Sequence, residues 1–204
     1  MNATRARILS ATTELFRRQG FNGTSLKEIT DAADATTGSL YHFFPGGKED
    51  LARAVIETSG DAYRQLFEMI ADAAADPASA ITDFFDGAAE VLEQTDFIDP
   101  CPIGTVAREV ASTNEQLRHA THKVFSSWVG AAAERFEAAG LGHADAVDLA
   151  GTLVATIEGG FVLARAARDA STLRASGRHL RLLVEISIAA SAQQVQCHPG
   201  IANG

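Results

Sequence analysis

Five side chains able to exchange hydrogen bonds crowd into seven residues: Thr36, Thr37, Ser39, Tyr41 and His42. None is Arg or Lys. Recognition of base edges by such a set would lean on the hydroxyls, on threonine methyls against thymine methyl groups, and on His42, while Tyr41 and His42 suit phosphate oxygens equally well. Thr24 and Ser25 precede one candidate helix and Lys48 opens another. The exposed N–H groups and the dipole at a helix start favour anions, so these three suit phosphates and would position a nucleic acid without specifying its sequence. Each residue also has a plainer role: Thr24 and Ser25 as caps, Tyr41 as packing, Lys48 as a solvated surface group. The constellation carries more weight than its members, because capping alone does not require small polar and aromatic groups on one face.

Other chemistries find less support. His119 and His122 lie three apart, half a metal site by spacing, but no cluster of carboxylates or cysteines stands beside them in the sequence. Cys101 sits between Pro100 and Pro102, far from Cys197, with no CxxC pattern and no basic neighbour to lower its pKa. Both cysteines are expected to be reduced. There is no nucleophile–base spacing and no phosphate-binding loop. The expectation is therefore a protein that is not an enzyme and carries no cofactor or metal.

The elements that must position the polar face are helices. Ile8, Ala11, Thr12, Leu15 and Phe16 share a face over residues 5–19, and Gly20 stops that helix. Ser25 stands three before Glu28, a capping-box spacing, and Leu26, Ile29, Ala32 and Ala33 continue a second, two-turn helix. A third helix runs from Thr36 or Thr37 through Phe43, with Leu40 and Phe43 or Phe44 inward, until Pro45-Gly46-Gly47 ends it. The short join between the second and third helices is that of a helix-turn-helix. Longer helices follow over about 48–74, 77–95, 102–111, 114–139, 143–169 and 173–195, with no competing strand pattern, so about nine helices are expected.

A chain of 204 residues can bury a sizeable core without staples. The net charge of −9 argues at first against nucleic acid, but it is unevenly spread. Residues 1–55 hold seven Lys/Arg and six Asp/Glu, a balance of +1, whereas residues 56–204 hold ten against twenty, or −10. Contact with a polyanion would be confined to the first segment and depend strongly on salt. The N-terminus does not read as a signal peptide, and no apolar stretch is read as approaching the roughly 18 residues of a membrane span, so a cytoplasmic protein with no membrane partner is expected.

The spelling Gly38-Ser39-Leu40-Tyr41-His42-Phe43-Phe44-Pro45-Gly46-Gly47-Lys48-Glu49-Asp50-Leu51 resembles the recognition helix and following turn of the TetR family of transcriptional regulators. The run from Ile8 to Phe21 is similar to that family's first helix, so the likeness covers about the first 55 residues. The turn through Gly46-Gly47-Lys48, with Cys101-Pro102-Ile103-Gly104, resembles the LmrA/YxaF-like branch. The resemblance implies an all-α protein with a three-helix helix-turn-helix DNA-binding domain (1–50) and a larger helical ligand-binding and dimerisation domain (51–195), while the tail 196–204, with Pro199, Gly200 and Gly204, reads as disordered from its own residues. The resemblance also implies operator DNA, a small hydrophobic or aromatic effector and a second copy of the chain as partners.

The helical stripes of the second half are by default core. The resemblance raises a pocket reading for Phe67, Ile70, Phe84, Cys101, Val106, Val110, Phe125, Trp128, Glu158 and Phe161, with the single tryptophan foremost as a wide stacking face with one donor. Glu158, inside an apolar run, needs a partner: an Arg such as Arg108 or Arg135, or a group on a ligand. The last two long helices are apolar on more than one face, and in this family such helices pair across a two-fold axis, which selects Leu153, Leu180, Leu183 and Ile186 as interface residues. The function so implied is a ligand-responsive regulator, most simply a repressor released from a pseudo-palindromic operator by its effector. The alternative is a helical small-molecule-binding protein whose helix-turn-helix no longer reads DNA, which the charge of −9 would suit.

Overall fold

A computed structural model describes residues 2–98 and 101–197. Among these residues there are nine helices and no strand: α1 (Ala3–Gly23), α2 (Leu26–Ala32), α3 (Thr37–Phe43), α4 (Lys48–Ala73), α5 (Pro77–Gln94), α6 (Pro102–Val110), α7 (Glu115–Ala138), α8 (His143–Ala167) and α9 (Ser171–Cys197). The all-α class and the N-terminal helix-turn-helix follow the sequence patterns. Gly20 breaks α1 at φ 79°, a conformation that a β-carbon disfavours. Asp76 caps α5 by accepting from the Ser79 N–H, with Pro77 at the first helical position, where its missing N–H is no loss. Arg168, left-handed at φ 52°, ends α8. Helix α9 continues through Cys197, so Gln196 and Cys197 belong to a helix and not to a disordered tail. The rest of that expected tail, 198–204, lies outside the described residues.

Packing divides the chain into two compact units, each containing two stretches of sequence. The first comprises the described residues of Met1–Tyr63 and Phe97–Phe125, so α6 and the start of α7 pack with the helix-turn-helix and α1 lies against α6. Its centre buries Ile8, Ile29, Ala33, Leu40, Phe44 and Leu51, with Ala11, Leu15, Leu26 and Phe43 against them. The second comprises the described residues of Arg64–Asp96 and Ser126–Gly204. There α9 packs on both α5 and α8, burying Ile81, Phe85, Leu92, Leu153, Ile157, Leu173, Leu180 and Val184. Ion pairs fasten the edge: Arg174 makes a two-pronged bond to Glu93 at 2.7 and 2.9 Å, and Arg168 pairs with Asp96.

Two sequence expectations are corrected in this second unit. Helix α8 has a mean hydropathy of 1.5 over 18 residues, so by length and composition it could cross a membrane, contrary to the reading that no stretch approaches a span. Its apolar residues serve two faces: Leu149, Leu153 and Ile157 are buried, while Val147, Val162 and Leu163 are exposed. For the same reason Leu153 and Leu180 leave the expected interface. They are 3% and 4% exposed, spent on the protomer's own core, whereas Leu182, Leu183 and Ile186 remain 53%, 43% and 65% exposed.

Close approach of α5 and α9 depends on Gly177, where a β-carbon would lie 2.5 Å from Phe85 Cβ and 2.8 Å from its Cγ. Phe85 is wholly buried and cannot swing aside. Gly177→Ala is expected to destabilise the fold by about 1–3 kcal/mol through overpacking. A denaturant melt with an unchanged midpoint would show that α9 shifts freely instead.

Candidate nucleic-acid interface

Local chemistry builds the polar face. Ser25 caps α2 through a reciprocal box: its hydroxyl oxygen accepts from the Glu28 N–H at 3.2 Å, while the Glu28 carboxylate accepts from the Ser25 N–H at 2.8 Å and from its hydroxyl at 2.7 Å. These bonds, the backbone one foremost, hold the Glu28 carboxyl below its ordinary 4.5. Thr36 caps α3, accepting from the Ser39 N–H at 3.1 Å, and the two hydroxyls lie 3.0 Å apart. Leu40 is fully buried and locks the helix to the unit's core, leaving Thr37, Tyr41 and His42 exposed on the other side, with His42 edge-on to Phe43.

The turn after α3 is closed by Asp50, whose carboxylate accepts from the Gly46 N–H at 2.7 Å and pairs with Arg53 at 2.7 Å. Gly47, at φ 64°, completes it. The turn delivers Lys48 to the start of α4 with its ammonium 4.6 Å from the centre of the Phe21 ring, a cation–π contact. Burial lowers the Lys48 pKa, and the nearby carboxylates of Glu109 and Glu28 work in the opposite direction.

Not every expected residue reaches this face. Thr24 is 1% exposed and its hydroxyl donates to the Gly20 carbonyl at 2.7 Å, so its side chain holds the break in α1 and does not offer itself to a phosphate. Ser25 is exposed, but its hydroxyl is committed to Glu28. Ser39 is half-buried behind Thr36. Thr37, Tyr41 and His42 remain presented beside half-buried Lys48, and Thr36 is exposed with its hydroxyl committed to Ser39.

Two residues that sequence reasoning passed over hold the arrangement. Arg7 donates from Nε to the Ala33 carbonyl and from Nη2 to the Asp34 carbonyl, both at 3.0 Å, satisfying the end of α2 where Asp34 turns left-handed at φ 47°. Glu109 accepts from the Asn22 N–H at 2.6 Å. Neither bond has a local spacing that sequence could reveal.

The residues expected to meet an effector fall in both units. In the second unit Phe67 is buried and stands edge-on to half-buried Phe84 at 5.4 Å between centres; Ile70, Trp128 and Glu158 are half-buried and Phe161 is buried. Arg135 pairs with Asp72 at 2.8 Å. An open recess of about 280 Å³ in this unit includes Phe67, Ile81 and Phe136 in its lining, but none of the other nine. In the first unit Cys101, Val106 and Val110 are buried and Phe125 half-buried; the Cys101 sulfur accepts from the Gly104 N–H at 3.2 Å. Glu115, one turn before His119, pairs with it at 2.9 Å, a carboxylate that the reading of the histidines overlooked. Its main partner is Arg118, which holds the Glu115 carboxyl down at about 2. Among the described residues no three His, Cys, Asp or Glu side chains gather as metal ligands.

A two-turn helix, a tight turn and a second short helix with an exposed polar face, all resting on a long first helix, define the helix-turn-helix class of DNA-binding protein. Residues 8–55 match the family described as bacterial regulatory proteins, tetR family, and residues 77–179 match the C-terminal domain of LmrA/YxaF-like transcriptional regulators. The HTH-type transcriptional regulator YxaF of Bacillus subtilis is 34% identical over 89% of this chain and 95% of its own, and LmrA of the same organism is 34% identical over 83% and 90%. The crystal structure of a regulatory protein TetR from Rhodobacter sphaeroides superposes with a TM-score of 0.80 over 88% of this chain and 98% of its own, at 24% identity, a likeness of fold. The chain belongs to the TetR family of transcriptional regulators, in its LmrA/YxaF-like branch, and is not an enzyme.

Because the folded Glu28 pKa is depressed, the capping box contributes stability that is present above the ordinary value of 4.5 and lost as the pH falls through the lower folded value. Glu28→Gln is expected to flatten the acid limb of the thermal stability profile measured from roughly pH 6 to 3. An unchanged acid limb would mean that other carboxylates control it.

Proposed function

We propose that the chain acts as a cytoplasmic homodimeric repressor that binds a pseudo-palindromic operator and is released from it by a small apolar or aromatic effector. The observation that carries the DNA-binding part is the exposed set Thr36, Thr37, Tyr41 and His42 on α3 beside Lys48 at the start of α4. One recognition helix of seven residues reads few base pairs, so two-fold pairing supplies the rest of the specificity. The exposed apolar residues Val162 and Leu163 of α8 and Leu182, Leu183 and Ile186 of α9 support the second copy as partner. An effector held by Phe67, Phe84, Trp128 and Phe161 would lower operator affinity only so far as it prefers the conformation that does not span two successive grooves. DNA-binding sits in 1–50, and effector binding and dimerisation in 51–195.

The balance of −10 over residues 56–204 favours one rival, a ligand-binding protein whose helix-turn-helix is silent. Selection of DNA from a random pool separates the two. A selected palindrome is expected, and its absence at low salt would remove the operator reading. Against the selected site, Tyr41→Ala and Lys48→Ala are each expected to weaken binding by about 1–3 kcal/mol, and only Lys48→Ala should flatten the salt dependence, because it removes a phosphate contact. Unchanged affinity in both variants would remove these residues from the contact set.

Dimerisation has its own test. Leu183→Asp with Ile186→Asp is expected to give a folded monomer in sedimentation, since two charges cannot be covered unpaired. A full dimer would place the interface elsewhere.

A further inference from the structure

At Gly20 the backbone of α1 leaves the helix, and the amides that follow lose the carbonyl partners a continuous helix would supply. One of them, the Asn22 N–H, donates to Glu109 Oε2 at 2.6 Å, from α6 and 87 positions along the chain. The carboxylate packs so closely on the break that a β-carbon at Gly20 would overlap it. Gly20 is required here for its φ, and the end of the Glu109 side chain fills the space beside it. The same carboxylate acts electrostatically on Lys48, whose ammonium rests on Phe21, the residue between Gly20 and Asn22. Four residues past the end of α6, Asn114 Nδ2 donates to Glu49 Oε1 at 2.9 Å in the first turn of α4. The end of α1 is therefore tied to α6, and the start of α4 to the residue that caps α7. Helix α6 is itself anchored by Val106 and Val110, which are buried.

We propose that Glu109 is a positioning residue for DNA binding: from α6 it fixes the broken end of α1, and with it the start of α2 and the placement of Lys48. This role rests on the reading of the helix-turn-helix as an operator-binding surface. A single hydrogen bond to the Asn22 amide carries it, and any acceptor oxygen with the reach of a glutamate side chain can take that bond.

Two conservative variants of the full chain separate reach from charge. Glu109→Asp keeps the charge but falls one methylene short of Asn22, whereas Glu109→Gln keeps the reach and an acceptor oxygen. Binding to DNA selected by the wild type and hydrogen exchange of the Asn22 amide are measured for each. Glu109→Asp is expected to weaken binding about tenfold and to speed Asn22 exchange by a similar factor, the loss of one hydrogen bond to a charged group. Glu109→Gln is expected to stay within about threefold of the wild type in both, a rescue that indiscriminate destabilisation would not show. Wild-type binding by Glu109→Asp overturns the proposal, and so does an equal loss in both variants, which would make charge the active property. Should Glu109→Asp not fold, the wild-type protein decides by itself: an Asn22 amide protected from exchange supports the role, and an unprotected one overturns it. A wild type that selects no DNA overturns the operator reading and this role together, an outcome distinct from a variant that binds normally.

Discussion

The polar face stands mainly on α3, seven residues long and braced by α2, also seven, and helices that short do not persist by themselves in water. Their existence depends on burial of one apolar side chain from each against α1 and α4: Ile29 from α2 and Leu40 from α3, both fully buried beside Ile8 and Leu51. Everything presented on the far side inherits its position from that contact. Capping then fixes the ends. The Ser25–Glu28 box starts α2, Arg7 satisfies the carbonyls where it stops, and Thr36 starts α3. With the ends and one face so constrained, the backbone that carries the exposed side chains has little freedom left to lose when they meet a partner.

Charge works against that module as much as for it. Lys48 is the basic group best placed for a phosphate, yet Glu28 and Glu109 stand near it. Lys27 is committed to Asp31 at 2.6 Å, and Arg53 to Asp50. Local neutralisation of this kind keeps non-specific attraction weak in a segment whose balance is only +1. A surface that attracts DNA weakly must gain its affinity from fitted contacts, and the proposed second copy would double their number.

Much of this was legible in the sequence, and the limits of legibility have a physical pattern. Periodicity and punctuation placed all nine described helices because each boundary carries local chemistry: Gly20, the Ser25–Glu28 spacing, Pro45-Gly46-Gly47, Asp76-Pro77. Polar residues on α3 could be sorted from Leu40 for the same reason. What could not be read was any bond between distant segments, such as Arg7 to the end of α2 or Glu109 to Asn22. Thr24 was misplaced because a capping position reads the same whether its hydroxyl faces water or folds back on the Gly20 carbonyl. Leu153 and Leu180 were misplaced because a helix apolar on two faces does not say which face its own protomer covers.

Adjacent glycines of α8 resolve that last ambiguity. A β-carbon at Gly160 would strike Leu173 of α9, so this side of the helix is filled by the protomer itself. A β-carbon at Gly159, and one at Gly151 two turns earlier, would meet nothing within 4 Å. Val162 and Leu163 are exposed as well, and α9 adds Leu182, Leu183 and Ile186. The mean hydropathy that gives α8 the profile of a membrane span therefore comes from summing two half-apolar faces, one satisfied and one open. The second copy proposed above would cover this open face. Its small residues would let another helix approach closely, and its large ones supply the area to be buried.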